Sequence, residues 1–147
     1  MRSERLCLAV LLVALVPLGF FVKLNLPANP AMPAALSIWC CNYGAAILYE
    51  VFWVLFLRFC SPKLPPLICG LIVFVGTSIL EVLQLWQPPW LTAVRSTFWG
   101  ASFFGTSFDM WDFPHYAVGS ALGAYVAYTI VRWTYRKASK NVPLSDP

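Results

Sequence analysis

The sequence predicts an all-α integral membrane protein: one domain over residues 1–140, with four transmembrane helices and one short interfacial or re-entrant helix. Three observations carry that prediction. The 147 residues are 60% hydrophobic and only 11% charged, whereas a soluble domain is about 45–50% apolar and about 25% charged. The apolar residues gather into four long runs. The basic residues sit at the ends of those runs, a pattern that orients helices in a bilayer. It does not build a nucleic-acid face, despite the net charge of +4.

The first run, 7–22, follows the basic start MRSER and is the shortest. Its flanks resemble a secretory leader, but no small-residue cleavage site follows Phe21 directly, so a retained helix is expected. Cleavage within the later PANPAMPAA stretch is the alternative. The second run covers 36–59. The third, 67–86, opens after the PKLPP breaker, and the fourth spans 116–133. Each approaches the roughly 20 residues that a bilayer core of about 30 Å requires. The connection Asn25–Pro33 is proline-rich and reads as irregular. Between the last two runs, PPWLTAVRSTFWGASFF opens on two prolines and mixes aromatics with Arg95. It predicts a short helix in 88–104 lying on or dipping into the membrane surface. Trp86, Trp90, Trp99 and Trp111 suit the belt where amphipathic rings meet headgroups. The polar residues 141–147 read as a disordered tail.

If the four helices alternate, Arg2, Arg5, Arg58, Lys63, Arg132, Arg136, Lys137 and Lys140 share one side, and only Lys23 and Arg95 fall on the other. The positive-inside bias then places both termini in the cytoplasm and the stretch DMWDFPHY at the outer face. The cysteines (Cys7, Cys40, Cys41, Cys60 and Cys69) lack C-x-x-C spacing and histidine partners, so they read as small apolar packing residues. Cys7 and Cys60, at cytoplasmic helix ends, lie where palmitoylation occurs.

An ionisable group deep in a bilayer costs at least about 2.5–3.5 kcal/mol, so it tends to face a partner or a watery cavity. Glu81 and Gln84, spaced by three, share one face of the third helix. Asp109 and Asp112 repeat that spacing ahead of the fourth, and Arg95 lies between the pairs. These residues form the candidate binding site. In the outward topology they share one membrane level, where Arg95 is expected among the acids or in water. Two readings follow: an intramembrane latch, or a polar pocket open to the outer leaflet. Clustered carboxylates raise one another's pKa or recruit a cation, and oxygen donors suit calcium or magnesium. No cofactor is required, although a divalent cation would fit.

Four further residues are secondary candidates. His115 is the only histidine, read as a wet polar tip with a metal or proton-relay role as the alternative. Glu50 falls about 21 Å below the outer end of the second helix, at about 1.5 Å per residue. Asn42 and Tyr43 lie higher on that helix and are better placed to line the pocket. Gly119 and Gly123 form G-x-x-x-G, which permits close helix packing within the chain or, alternatively, in an oligomer.

The E-x-x-Q of Glu81 and Gln84, then Arg95, then Asp112, Tyr116, Gly119 and Gly123 resemble the pattern of VanZ-like membrane proteins. Typical members carry asparagine where this chain has Tyr116. That departure, with ILEVLQLWQPPWL, GTSFDMWDF and NYGAAILYEVFW, is more similar to a sister group, domain of unknown function 2809, over about Asn42 to Tyr125. The resemblance adds Tyr116 to the candidate binding site and implies a bacterial inner-membrane protein of four or five helices without established chemistry. VanZ-like proteins are associated with lowered sensitivity to glycopeptide antibiotics, and no catalytic residues carry over.

Three functions compete with a purely structural role. The first is binding an amphiphile, such as a lipid-linked envelope molecule, with Arg95 on its anionic headgroup and the tryptophans on its apolar part. The second is a metal-assisted lipid-modifying enzyme using Glu81 or Asp112 as general base. The third is a proton-coupled small transporter using Glu50 and Glu81, which would require an oligomer. Expected partners are membrane lipids and no nucleic acid.

Overall fold

The computed structural model describes residues 2–25, 33–104 and 108–140. The expected irregularity after Asn25 therefore lies largely outside the described residues, and the expected tail, 141–147, lies wholly outside them. Among the described residues every regular element is helical: α1 (Arg2–Asn25), α2 (Ala34–Trp39), α3 (Ala45–Cys60), α4 (Pro66–Leu83), α5 (Pro89–Arg95), α6 (Phe98–Phe104) and α7 (Asp112–Lys140). A π-helical turn, Cys40–Gly44, joins α2 to α3.

Among the described residues three stretches are long and apolar enough to cross a bilayer: Ser3–Lys23, Ala34–Cys60 and Pro66–Leu83. The expected second span is continuous but carries the π-turn, which the sequence did not mark. The third ends at Leu83 rather than 86, and residues 84–86 close as tight turns onto the carbonyls of 81–83. The fourth expected span falls on α7, which at 29 residues is long but less apolar. Asp112 at its start and Arg132, Arg136, Lys137 and Lys140 in its last turns lower its hydropathy.

α7 packs against α3, α4 and α1, and α3 packs in turn against α1 and α4. Small residues on α7 make this possible in two rows. Gly119 and Gly123 face α3: a Cβ at Gly119 would lie 2.6 Å from the Glu50 Cβ and 2.9 Å from the Ile47 carbonyl oxygen. On the neighbouring row, Ser120 and Ala124 meet Gly70 of α4. Two apolar clusters fill the rest of the crossing. Leu8, Leu55 and Ala127 join α1, α3 and α7, while Val54, Cys69 and Ala124 join α3, α4 and α7. Gly119→Ala forces α3 and α7 apart and should cost about 1–3 kcal/mol, the usual range for overpacking. A lowered midpoint of denaturant unfolding in detergent is the expected reading, and an unchanged midpoint would contradict this packing.

The single interfacial helix expected in 88–104 is instead two seven-residue helices meeting at Ser96–Thr97. Their hydroxyls explain the break. Ser96 Oγ donates to the Ala93 carbonyl and Thr97 Oγ1 to that of Val94, which ends α5. Thr97 Oγ1 then accepts from the Gly100 N–H and caps α6. Gly100 is required at this corner, since a Cβ there would lie 1.8 Å from the Val94 oxygen. Leu6, Val10, Val13, Phe20 and Phe21 on α1, with Leu71, Ile72, Val75 and Ile79 on α4, remain exposed. Such faces are suited to lipid.

At the end of the bundle holding the start of α1 lies the one ion pair among the described residues, Arg58 Nη2 to Glu4 Oε1 at 2.5 Å. Both residues are buried. The sequence reading gave Glu4 no role. Arg58 also donates through Nη1 to the carbonyls of Pro62 and, at 2.7 Å, Leu64. It thereby ties α1 to the turn between α3 and α4.

Candidate functional site

At the opposite end of α4, Glu81 is the hub of a polar network. Its side chain is only 1% exposed, which in an apolar bundle demands partners. It has three. Gln84 Nε2 donates to Oε2 at 2.7 Å, the Tyr116 hydroxyl donates to Oε2 at 3.0 Å, and the Asp109 backbone N–H donates to Oε1 at 2.7 Å. One carboxylate thus fixes α4 to α7 and to the segment that enters α7.

Asp109 organises that entry. Its Oδ1 accepts from the Trp111 N–H at 2.9 Å, its carbonyl accepts from the Asp112 N–H, and its Oδ2 accepts from the Tyr43 hydroxyl at 3.1 Å. Asp112 begins α7, and its Oδ2 receives a longer 3.4 Å bond from Tyr116. Burial, with Glu81 and Asp109 close by, holds the Asp112 carboxyl above the usual carboxylate range, although the Tyr116 bond pulls the other way. Pro114 falls in the first turn of α7, where its missing N–H breaks no helical bond.

His115 is not the chemical centre of this stretch. Its Nδ1–H donates to the Trp111 carbonyl at 2.6 Å, and its ring stacks on Tyr43 at 4.3 Å, with Trp39 edge-on at 5.8 Å. The sandwich holds the π-turn against the start of α7.

The structure therefore brings together Glu81, Gln84, Asp109, Asp112, Tyr116 and Tyr43, and separates three other candidates from them. Asn42 is exposed, and among the described residues no hydrogen bond links it to the cluster. Glu50 is fully buried lower in the bundle, where Ser120 Oγ donates to its Oε2 at 2.5 Å. Arg95 is the principal correction. It was expected among the acids or in water, yet it is buried and its guanidinium donates to the carbonyls of Trp86 and Leu83, each at 3.1 Å. The end of a helix leaves carbonyls without intrahelical partners, and a cation placed there complements the helix dipole. Those carbonyls compete with the acids for Arg95, and geometry gives it to them.

Arg95 also lines a groove of about 260 Å³ with Leu80, Leu83, Trp86, Trp90, Leu91 and Val94. Trp86 and Trp90 meet edge to face at 5.8 Å. Arg95 itself is 7% exposed, and its Nε is buried with no partner. The site thus has two faces, a carboxylate network on the α7 side of α4 and an apolar groove, with Arg95 in its lining, on the α5 side. Among the described residues no group of three His, Cys, Asp or Glu side chains could hold a metal ion. The cysteines are free thiols.

An all-helical bundle with apolar, bilayer-length helices and lipid-suited faces has the make-up of a helical membrane protein. The family model described as "Protein of unknown function (DUF2809)" matches residues 35–120, more than half of the chain. The chain belongs to that family, and the matched region holds every candidate site residue named above. No curated protein and no solved structure matches it.

Proposed function

We propose that this membrane protein binds an anionic amphiphile, such as a lipid-linked envelope molecule, in the groove between α4 and α5. One observation carries the reading: Arg95 is a buried cation in the wall of an apolar groove, and no carboxylate pairs with it among the described residues. A buried charge without a counter-charge is costly. Arginine has five donors in a planar fork suited to phosphate or carboxylate, and only two hydrogen bonds engage it here. A headgroup anion would supply the missing charge, while Trp86, Trp90 and Leu91 take the apolar part.

The carboxylate network has a second reading, as a latch. The bonds to both Glu81 oxygens come from within the chain, so the network positions the segment entering α7 rather than contacting a ligand. In this account α7 is the fourth span, both termini face the cytoplasm, and the groove opens to the outer leaflet. The clustering of basic residues at the other end supports that orientation. The resemblance to VanZ-like proteins favours a bacterial inner membrane.

Native mass spectrometry of the purified protein provides the test. Wild type should retain anionic lipids that Arg95→Ala loses, while zwitterionic lipids bind both alike. Trp90→Ala leaves the bonds from Arg95 to the helix end intact and should weaken the same adducts by about tenfold, the effect of about 1.4 kcal/mol of lost burial. Anionic adducts unchanged in both variants would remove the proposal.

A further inference from the structure

Glu50 has no role in the groove or in the Glu81 network, yet the helices are shaped around it. It is fully buried in the middle of the Ala34–Cys60 stretch. Gly119 is held to a bare backbone by the Glu50 Cβ. Ser120 Oγ donates to Oε2, whereas Oε1 is buried with no hydrogen-bond partner. No cation pairs with it among the described residues. The titratable groups near it are Tyr116 of α7 and Tyr49 of its own helix, while α4 brings only the Thr77 hydroxyl.

The residues between Glu50 and the Glu81 cluster form two polar ladders at helical spacing. On α7, Asp112, Tyr116 and Ser120 recur every four residues and so share one face; on α4, Glu81 and Thr77 do the same. Tyr116 bonds to both Glu81 and Asp112 at the upper rung, and Ser120 bonds to Glu50 at the lower. Thr77 donates its own proton to the Val73 carbonyl at 3.0 Å, which leaves its oxygen lone pairs able to accept one. On the other side of Glu50 the path is closed by apolar packing of Val54, Leu55, Cys69 and Ala127, each at most 1% exposed.

We propose that Glu50 is a proton-binding site, carried as the neutral acid with its proton on Oε1 towards Thr77. It exchanges that proton with the face bearing Glu81, Asp109 and Asp112 through Ser120 and Tyr116. An ionised carboxylate in this position has neither water nor a counter-charge, and the neutral acid removes that cost. The step is reversible and balanced: the carboxyl group turns its O–H to Ser120 Oγ, the acid O–H bond breaks as Ser120 takes that proton and releases its own towards Tyr116 and the cluster, and an equivalent proton returns by the same hydroxyls. This inference is independent of the groove and of what occupies it.

The test is infrared spectroscopy of the full chain in lipid nanodiscs during exchange from H2O to D2O at neutral pH. The expected spectrum contains a carboxylic-acid C=O band that Glu50→Gln removes and that shifts as the proton is replaced by deuterium. Tyr116→Phe and Ser120→Ala each delete one hydroxyl from the ladder. Each should slow that shift about tenfold, the rate cost of one hydrogen-bonding link. The amide bands of the same spectra report whether the helices persist, so a misfolded variant is recognised and the other carries the test. Absence of an acid band assignable to Glu50 overturns the proposal, as does an exchange rate unaffected by either deletion in a folded variant.

Discussion

Glu81→Ala is expected to lower the stability of the protein by at least about 3 kcal/mol, because it strands three donors at once. Hydrogen bonds to a charged group contribute about 1.5–3 kcal/mol each, and leaving a buried donor unpaired carries its own penalty. The three donors come from Gln84, the Asp109 backbone and Tyr116, so the loss falls on α4, α7 and the segment joining them. Denaturant unfolding in detergent measures the total. Hydrogen exchange locates it: the Asp109 amide, protected by Glu81 Oε1, should become fast. Glu81→Gln should fall between the two, since one acceptor oxygen survives but an amide NH2 now opposes a donor. Lipid adducts retained by Glu81→Gln would fit the latch. An unchanged unfolding midpoint in Glu81→Ala would show that the network does not hold the bundle together.

Arg58→Met should be comparably damaging for a different reason. Removing one partner of a buried ion pair leaves the other charge uncompensated, which costs about 3–5 kcal/mol. Here it also orphans the carbonyls of Pro62 and Leu64 that Arg58 satisfies. The lower end of that range is expected, because the pair lies at helix ends rather than at mid-bilayer. Adding Glu4→Leu to Arg58→Met should recover part of the loss, since the pair is then absent rather than broken. If the double variant is no more stable than the single one, the damage lies in the turn and not in the ion pair.

These two residues show what the sequence carried and what it did not. Glu81 and Gln84 were legible as one unit, because a spacing of three fixes neighbours on any helix before its partners are known. Asp112 was legible beside Asp109 for the same reason, whereas Tyr116 was legible only through the family pattern. The bond from Asp109 to Glu81 was not, because it runs through a backbone N–H that every residue possesses. Glu4 and Arg58 meet only after α1 folds against α3, and no local pattern connects the two segments. Arg95 was assigned to the acids or to water because charge balance alone favours those places. The carbonyls at the end of α4 are acceptors that composition does not display.

The folding elements divide similarly. Apolar runs marked the helices α1, α3 and α4 because lipid imposes length and hydrophobicity on them. α7 was read from the same property, although part of its surface answers to neighbouring helices, as the Gly119 and Gly123 rows display. The π-turn at Cys40–Gly44 and the break at Ser96–Thr97 depend on competition among hydrogen bonds. In the second case Ser-Thr was a visible hint, since hydroxyls that return to carbonyls end short helices. Ser120 and Thr77 went unremarked, yet their four-residue spacing from Tyr116 and Glu81 was present in the sequence.

The central claim is that an anionic amphiphile occupies the groove that Arg95 helps to line. A photoactivatable anionic lipid, incorporated into membranes with the protein and mapped by peptide mass spectrometry, tests it most directly. The account predicts labelling concentrated on the 80–95 segment, suppressed by Arg95→Ala and by excess unlabelled anionic lipid. Labelling spread evenly over the exposed faces of α1 and α4, and indifferent to Arg95, would contradict it.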